Sequence, residues 1–349
     1  MQTRNVGEFL KYAIPRNKSA LLVGPPGIGK TDIVTSVAKD LGYDLVLSHA
    51  VVEDPTNYKG LGAIVDGKAV WLPFGNLRQI VETKKPTVFF LDDLGQAPQA
   101  VQSAIMQLVL SRRVDEHKVS DTVAFVAATN GKGHRAGVGN FLEPLKDRFT
   151  IIKVEPNVDD WINWALGNDM PAEMIAFIKY RPHFLTSWPQ ENDDQKTLTE
   201  KTAQLSKAAQ TMGKIATPRG IARIGKHLVD GLPKNLEYDT FVGDTGEAFA
   251  TEVLGFLKVF RSLPNPDLVL MHPETAEIPE DPATMYALCG ALAHRASETS
   301  ISRIVTYGNR LKDAFSVLLI QMAVGKDRQV VNTKAFINWA ANHADVMFG

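Results

Sequence analysis

The chain has 349 residues, 44% of them hydrophobic and 22% charged, with a formal net charge of -1. That length exceeds what one small core ordinarily holds, and the composition is that of an ordinary globular protein, so long disorder is excluded and two or three packed units are expected. The near-neutral charge argues against a general nucleic-acid binder, although a local basic patch is compatible with it.

In the first half, short β-rich apolar runs recur at 20–23, 44–48, 87–91, 123–128 and 151–154. Helix-period segments lie between several of them: Ile33, Val34, Val37, Ala38 and Leu41 closed by Gly42, and Val101, Ala104, Ile105 and Leu108 after Pro98. Apolar strands alternating with helices predict a mainly parallel sheet covered on both faces, ending near residue 155. Beyond it the pattern turns helical. Helices are expected at 159–166, 171–180, 196–212 and 218–228, the last with Thr217 as N-cap and Pro218 at its first position, with an irregular connection at 181–194. Further helices are expected at 246–262, 282–297, 300–324 and 333–347, with a Pro-rich link at 263–282. Trp161, Ile162, Trp164 and Ala165 read as helix packing. The single cysteine, Cys289, excludes an intramolecular disulfide; its apolar neighbours predict a buried thiol, and its solitude fits a reducing compartment. No run reaches the roughly 18 apolar residues of a membrane span, and the N-terminus lacks the apolar core of a signal peptide, so no membrane association and a cytoplasmic location are expected.

The chemistry starts after the first strand. Gly24-Pro25-Pro26-Gly27-Ile28-Gly29-Lys30-Thr31 fits the P-loop pattern between a strand and a helix, and Asp32 follows it into the first helical turn. Such a backbone can converge N–H groups on phosphate oxygens, aided by the helix N-terminus. Lys30 would reach the outer phosphates of ATP and the Thr31 hydroxyl would ligate Mg2+. The run Val88-Phe-Phe-Leu-Asp92-Asp93 is a buried strand ending in two carboxylates. One can hold the magnesium shell and the other can orient or deprotonate a water. Taken singly, an Asp-rich turn, an Asn130-Gly131 turn and an Asp147–Arg148 surface pair are the plainer readings. Arg112 and Arg113 read as solvated charge, and His134 as a solvent-facing residue in a Gly-rich loop.

In order, these motifs, with Ala127-Ala-Thr-Asn130, Leu145-Lys-Asp-Arg148-Phe149 and Thr217-Pro-Arg219, resemble those of AAA+ ATPases over residues 5–230. Asp54-Pro55, Gly60-Leu-Gly, Trp71-Leu-Pro73 and Ala97-Pro98, followed by a helix, Arg113 and a short hairpin, are similar to the MoxR group, including its CbbQ/NorQ-type branch. The resemblance implies an α/β fold: a P-loop AAA+ parallel-sheet core at 1–155, an α-helical lid at 156–231 and an additional C-terminal helical region at 232–349. It implies Asp92 as the magnesium residue and Asp93 in the slot of the catalytic glutamate, one methylene shorter than the usual residue. Asn130 takes the sensor 1 position, Arg148 that of an arginine finger serving a neighbouring subunit, and Arg219 that of sensor 2. Tyr58-Lys59 and 71–74 flank an insertion that in similar proteins lines a central pore; core packing is the competing reading for Trp71. A homo-oligomeric ring, six subunits in similar proteins, is implied, remodelling or activating a partner protein, often one with a von Willebrand A domain. A nucleic-acid motor or loader and a slowly hydrolysing ATP-gated scaffold are the alternatives.

Overall fold

The structure, a computed structural model, describes residues 1–114, 117–131, 141–189, 193–263 and 265–343. It divides into two compact units, Met1–Asn157 and Val158–Gly349.

In the first unit, β1 (Ala20–Val23), β2 (Asp44–His49), β5 (Thr87–Asp92), β8 (Val123–Thr129) and β9 (Thr150–Lys153) form one parallel sheet in the order β2-β5-β8-β1-β9. The two central strands β5 and β8 are buried at every position. Side chains alternate along a strand, so a strand covered on both sides must be apolar throughout. Val88, Phe90 and Val126 pack with Val6, Leu10, Val34 and Val37 on one face, and Phe89, Leu91 and Phe125 with Leu77, Val101, Ile105 and Leu108 on the other. Each such large side chain contributes roughly 1.5–3 kcal/mol by leaving water. The helix Thr3–Ala13, which the sequence reading left without an element, supplies Val6 and Leu10.

Two hairpins decorate this unit. β3 (Leu61–Val65) and β4 (Lys68–Leu72) pair antiparallel through Asp66-Gly67, both with positive φ, as a tight two-residue turn requires. Leu61, Ile64, Trp71 and Leu72 are exposed on it, so Trp71 is not a core residue. β6 (Arg113–Val114) pairs with β7 (His117–Lys118). Tyr58, next to the β3–β4 insertion, is fully buried, and its hydroxyl is 2.7 Å from Ser48 Oγ. Arg112 is no solvated charge. It ends the helix Gln99–Ser111 in a left-handed conformation and donates to the carbonyls of Ser120 and Val123 at 2.9 and 2.7 Å. Its guanidinium lies over the Phe125 ring, and burial pulls its pKa down.

The second unit is helical. Its elements include Val158–Gly167, Ala172–Tyr180, Gln195–Gln210, Pro218–Val229, Glu247–Arg261, Pro282–Ala293 and Lys334–Asn342. The helix expected across 300–324 is two, Ile301–Gly308 and Asp313–Lys326, because the chain breaks after Gly308-Asn309 and buries Leu311 in the gap. Glu237–Thr245 and Pro266–Met271 are additional helices, the latter inside the Pro-rich link. One core, from Trp161 to Trp339, draws on helices either side of residue 231. Trp161 is buried, whereas Trp164 is partly exposed. Cys289 is buried, which pushes its thiol up to about 12 and keeps it protonated at neutral pH. Among the described residues no helix is long and apolar enough to cross a membrane. His134 and the end of the helix expected at 333–347 lie outside the described residues.

Candidate nucleotide site

In an open parallel sheet, ligands bind beyond the C-terminal ends of the strands. Here the ends of β1, β5 and β8 adjoin, and most of the sequence-marked residues of the first unit sit there. Gly24 leaves β1 with its N–H on the Thr129 carbonyl. Pro25 and Ile28 are buried, Ile28 as part of the sheet-face core, which pins the loop from below. Gly29 has φ 94°, a left-handed value that a side chain would strain, and begins the helix Lys30–Leu41. Pro26, Gly27 and Asp32 lie along the outer side of the loop and first turn, where Asp32 is exposed.

Lys30 is not the exposed lysine that an empty loop would suggest. It is 8% exposed, and Nζ donates to the carbonyls of Gly24 and Pro25 at 2.9 and 3.0 Å and to Asn130 Oδ1 at 2.9 Å. A buried ammonium needs such acceptors, and these oxygens stand where a phosphate chain would offer its own. Thr31 Oγ1 donates to Asp92 Oδ2 at 2.8 Å, while Asp92 Oδ1 accepts from the Asp93 backbone N–H at 3.0 Å. A hydroxyl and a carboxylate facing one another at a helix N-terminus form an oxygen donor set suited to a hard divalent cation. Asp93 is half-buried and left-handed at φ 54°, a backbone state that aspartate and asparagine adopt more readily than longer side chains. That gives a physical reason for the shorter acid in this slot.

Two expected site residues lie elsewhere in the chain. Arg148 follows the short helix Glu143–Lys146 in a turn, is exposed, and is paired with none of the described residues. Arg219 belongs to the second unit, in the first turn of Pro218–Val229, where the Thr217 hydroxyl accepts from the Gly220 N–H at 3.0 Å. Arg219 too is exposed. One participant went unmarked: Gln96, whose side chain bonds Asp93. The available signal was the spacing Asp93-x-x-Gln96, that of a capping box.

Residues 20–155 match the model of the ATPase family associated with various cellular activities (AAA). Among curated proteins, midasin from Giardia intestinalis is 24% identical over 177 residues, covering 48% of this chain and 4% of midasin. The uncharacterized protein ycf45 of Cyanidium caldarium is 25% identical over 100 residues, 26% of this chain and 30% of that protein. The chain thus spans less than a third of the length of either relative. Among solved structures, the Thermotoga maritima RuvB Holliday junction branch migration motor aligns with 15% identity over 83% of this chain and 80% of that chain, at a TM-score of 0.38. The strand order and the loop between β1 and its helix agree with that match: residues 20–155 resemble the AAA ATPase family, and 24–31 lie where its P-loop pattern falls.

Proposed function

We propose that the chain is a magnesium-dependent ATP hydrolase that works as a ring and remodels a partner protein, in the manner of the MoxR group. The observation that carries the hydrolase reading is the pair of bonds Lys30–Asn130 and Thr31–Asp92, which join two adjacent loop residues to two strand ends far away in sequence. Lys30 compensates the charge of the outer phosphates. Magnesium, held by Thr31 and by Asp92 through its carboxylate, would supply further neutralisation of the phosphate oxygens. Asp93 orients the attacking water and takes its proton at the carboxylate, and the Asn130 amide holds that water in line. Arg148, exposed and without a described partner, is free to serve a neighbouring subunit, which makes the ring part of the chemistry. The exposed apolar hairpin β3–β4 supports contact with a partner protein, and a von Willebrand A domain is the partner class that the resemblance favours.

The test is phosphate release by the purified chain with and without magnesium. Asp93→Asn, close to isosteric and tolerant of the left-handed backbone, should bind ATP normally and turn over roughly 10²–10⁴-fold more slowly. Lys30→Ala should bind ATP at least roughly 30-fold more weakly, following a loss of about 2 kcal/mol or more for an unpaired charge contact. Because Lys30 also anchors the loop carbonyls, its variant is read beside a thermal melt. An Asp93→Asn rate equal to that of the unchanged chain removes Asp93 from the chemistry.

A further inference from the structure

Asp93 opens a single 3-10 turn, Leu94–Gln96, and Gln96 at the end of that turn folds back on it. Gln96 Nε2 donates to Asp93 Oδ1 at 3.1 Å. At the other end of the same amide, Oε1 accepts from Thr129 Oγ1 at 3.4 Å. Thr129 is the last residue of β8 and precedes Asn130, the acceptor of Lys30. The direction of this chain is fixed by donor inventory: an ionised carboxylate only accepts, so the amide must turn its NH2 to Asp93, which leaves its oxygen for the hydroxyl. Packing holds the arrangement in place. A Cβ on Gly95 would lie 2.1 Å from Thr129 Oγ1, so only glycine lets the turn press against the strand end.

We infer that Gln96 is a positioning residue: it orients the Asp93 carboxylate and ties it to the end of β8, so that the proposed base and Asn130 are set by one strand. The inference rests on the hydrolase reading above. Gln96 bonds neither Lys30, Thr31 nor Asp92, so it acts on the chemical step and not on nucleotide capture. Thr129 has one hydroxyl proton and a second acceptor, the Asn130 carbonyl at 3.2 Å. The link from strand to carboxylate can therefore be made or released without any large movement.

The experiment measures steady-state ATP hydrolysis against ATP concentration, beside a thermal melt, for three variants. Gln96→Leu removes the donor and should lower kcat roughly tenfold to a hundredfold, the order expected when a reacting group is misplaced, with KM for ATP within about twofold. Gln96→Glu keeps the shape but sets a second carboxylate against Asp93. Repulsion between the two carboxylates breaks the bond that holds Asp93, so kcat should fall roughly tenfold or more while KM for ATP stays within about twofold. Thr129→Val should lower kcat in the same direction by a smaller factor. A merely structural role would show as a lowered thermal midpoint without this split between kcat and KM. If Gln96→Leu fails to fold, the near-isosteric Gln96→Glu carries the test alone. Unchanged kcat in the Gln96 variants, with hydrolysis strongly slowed in Asp93→Asn, overturns this inference and leaves the hydrolase reading standing. A raised KM at constant kcat overturns it as well, because Gln96 would then belong to nucleotide binding. Absence of hydrolysis in the unchanged chain overturns both.

Discussion

In the first unit, the buried Lys30, Asp92, Thr129 and Asn130 stand together at one end of the sheet, Lys30 bonded to Asn130 and to loop carbonyls, Thr129 to the Asn130 carbonyl, and Asp92 to the Thr31 hydroxyl of the same loop. In the second unit the buried Glu237, Thr245 and Ser316 stand apart, each with its own structural partner: the Arg261 guanidinium, the Phe241 carbonyl and the Trp339 indole N–H. Both units obey the rule that a buried polar group must be bonded. Only the first gathers such groups where a backbone loop and a helix N-terminus also converge. Concentration of polar burial, more than its amount, separates a site from a scaffold.

Arg148 gives the largest break in this contrast, because it is the expected site residue of the first unit that is bonded to no described neighbour. If it completes an adjacent subunit's site, Arg148→Ala should keep ATP binding and lose roughly 10³-fold or more in turnover. Hydrolysis per subunit should also rise with protein concentration as rings form. Mixing is the decisive version: Lys30→Ala subunits retain their arginine and should restore part of the activity of Arg148→Ala subunits, once co-assembly has been checked by light scattering. Mixed rings without recovered phosphate release, and a wild-type rate independent of concentration, would sink the shared-site reading.

What was legible in the sequence follows from how far each signal reaches. The strands β1, β5 and β8 could be read because burial on both faces demands an unbroken apolar run, which is a local property. The loop 24–31 could be read because a fixed spacing of glycines, lysine and threonine serves one geometry. The burial of Lys30 was not legible, because its acceptors, Gly24, Pro25 and Asn130, come together only when β8 lies beside β1. The burial of Tyr58 was hidden for a similar reason, its hydroxyl being answered by Ser48 in β2. In the helical unit, Asn265-Pro266 carried a cap and a first-turn proline, but three nearby prolines masked the helix Pro266–Met271. Conversely, Ser300 to Val324 kept a helical period through a break that only Gly308-Asn309 signals.

An intermediate effect is expected at the carboxylate that is buried among the described residues of the second unit. Glu237 is nearly inaccessible and receives two bonds from Arg261, itself about a third exposed. Arg261→Ala strands that carboxylate. Breaking a buried pair costs about 3–5 kcal/mol, and partial exposure of the arginine lowers this to roughly 2–3 kcal/mol. Most of the chain's tryptophans, Trp161, Trp164, Trp188 and Trp339, lie in this unit, so a fluorescence-detected denaturation reports on it. The double change Glu237→Gln with Arg261→Met should recover much of the loss, because no unpaired charge is left. If the double variant is no more stable than Arg261→Ala, the pair does more than hold helices, and the contrast between the units weakens.

The smallest effect belongs to a cap. Asp281 precedes the helix Pro282–Ala293, and its Oδ2 accepts from both the backbone N–H and the hydroxyl of Thr284 at 2.7 Å. These bonds favour the ionised form and hold the carboxyl below the ordinary aspartate value of 3.8, the backbone bond acting most. A folded-state value below the unfolded one means that the contribution is whole above pH 3.8 and is lost as pH falls through the lowered value. Asp281→Ala should cost about 1 kcal/mol or less at neutral pH, since the site is exposed. Asp281→Asn keeps an N-cap acceptor but cannot titrate. Its stability should lie slightly below that of the unchanged chain at neutral pH, where the carboxylate also faces the helix dipole, and the gap should close as acid protonates Asp281. Denaturant midpoints followed downward from neutral pH to below pH 3.8 measure the difference, in which all other acid-labile groups cancel. A gap that stays constant through that range would show that the charge of Asp281 does nothing for the helix. The scaffold unit would then rest on packing and neutral hydrogen bonds alone, which would widen its contrast with the charged cluster at the end of the sheet.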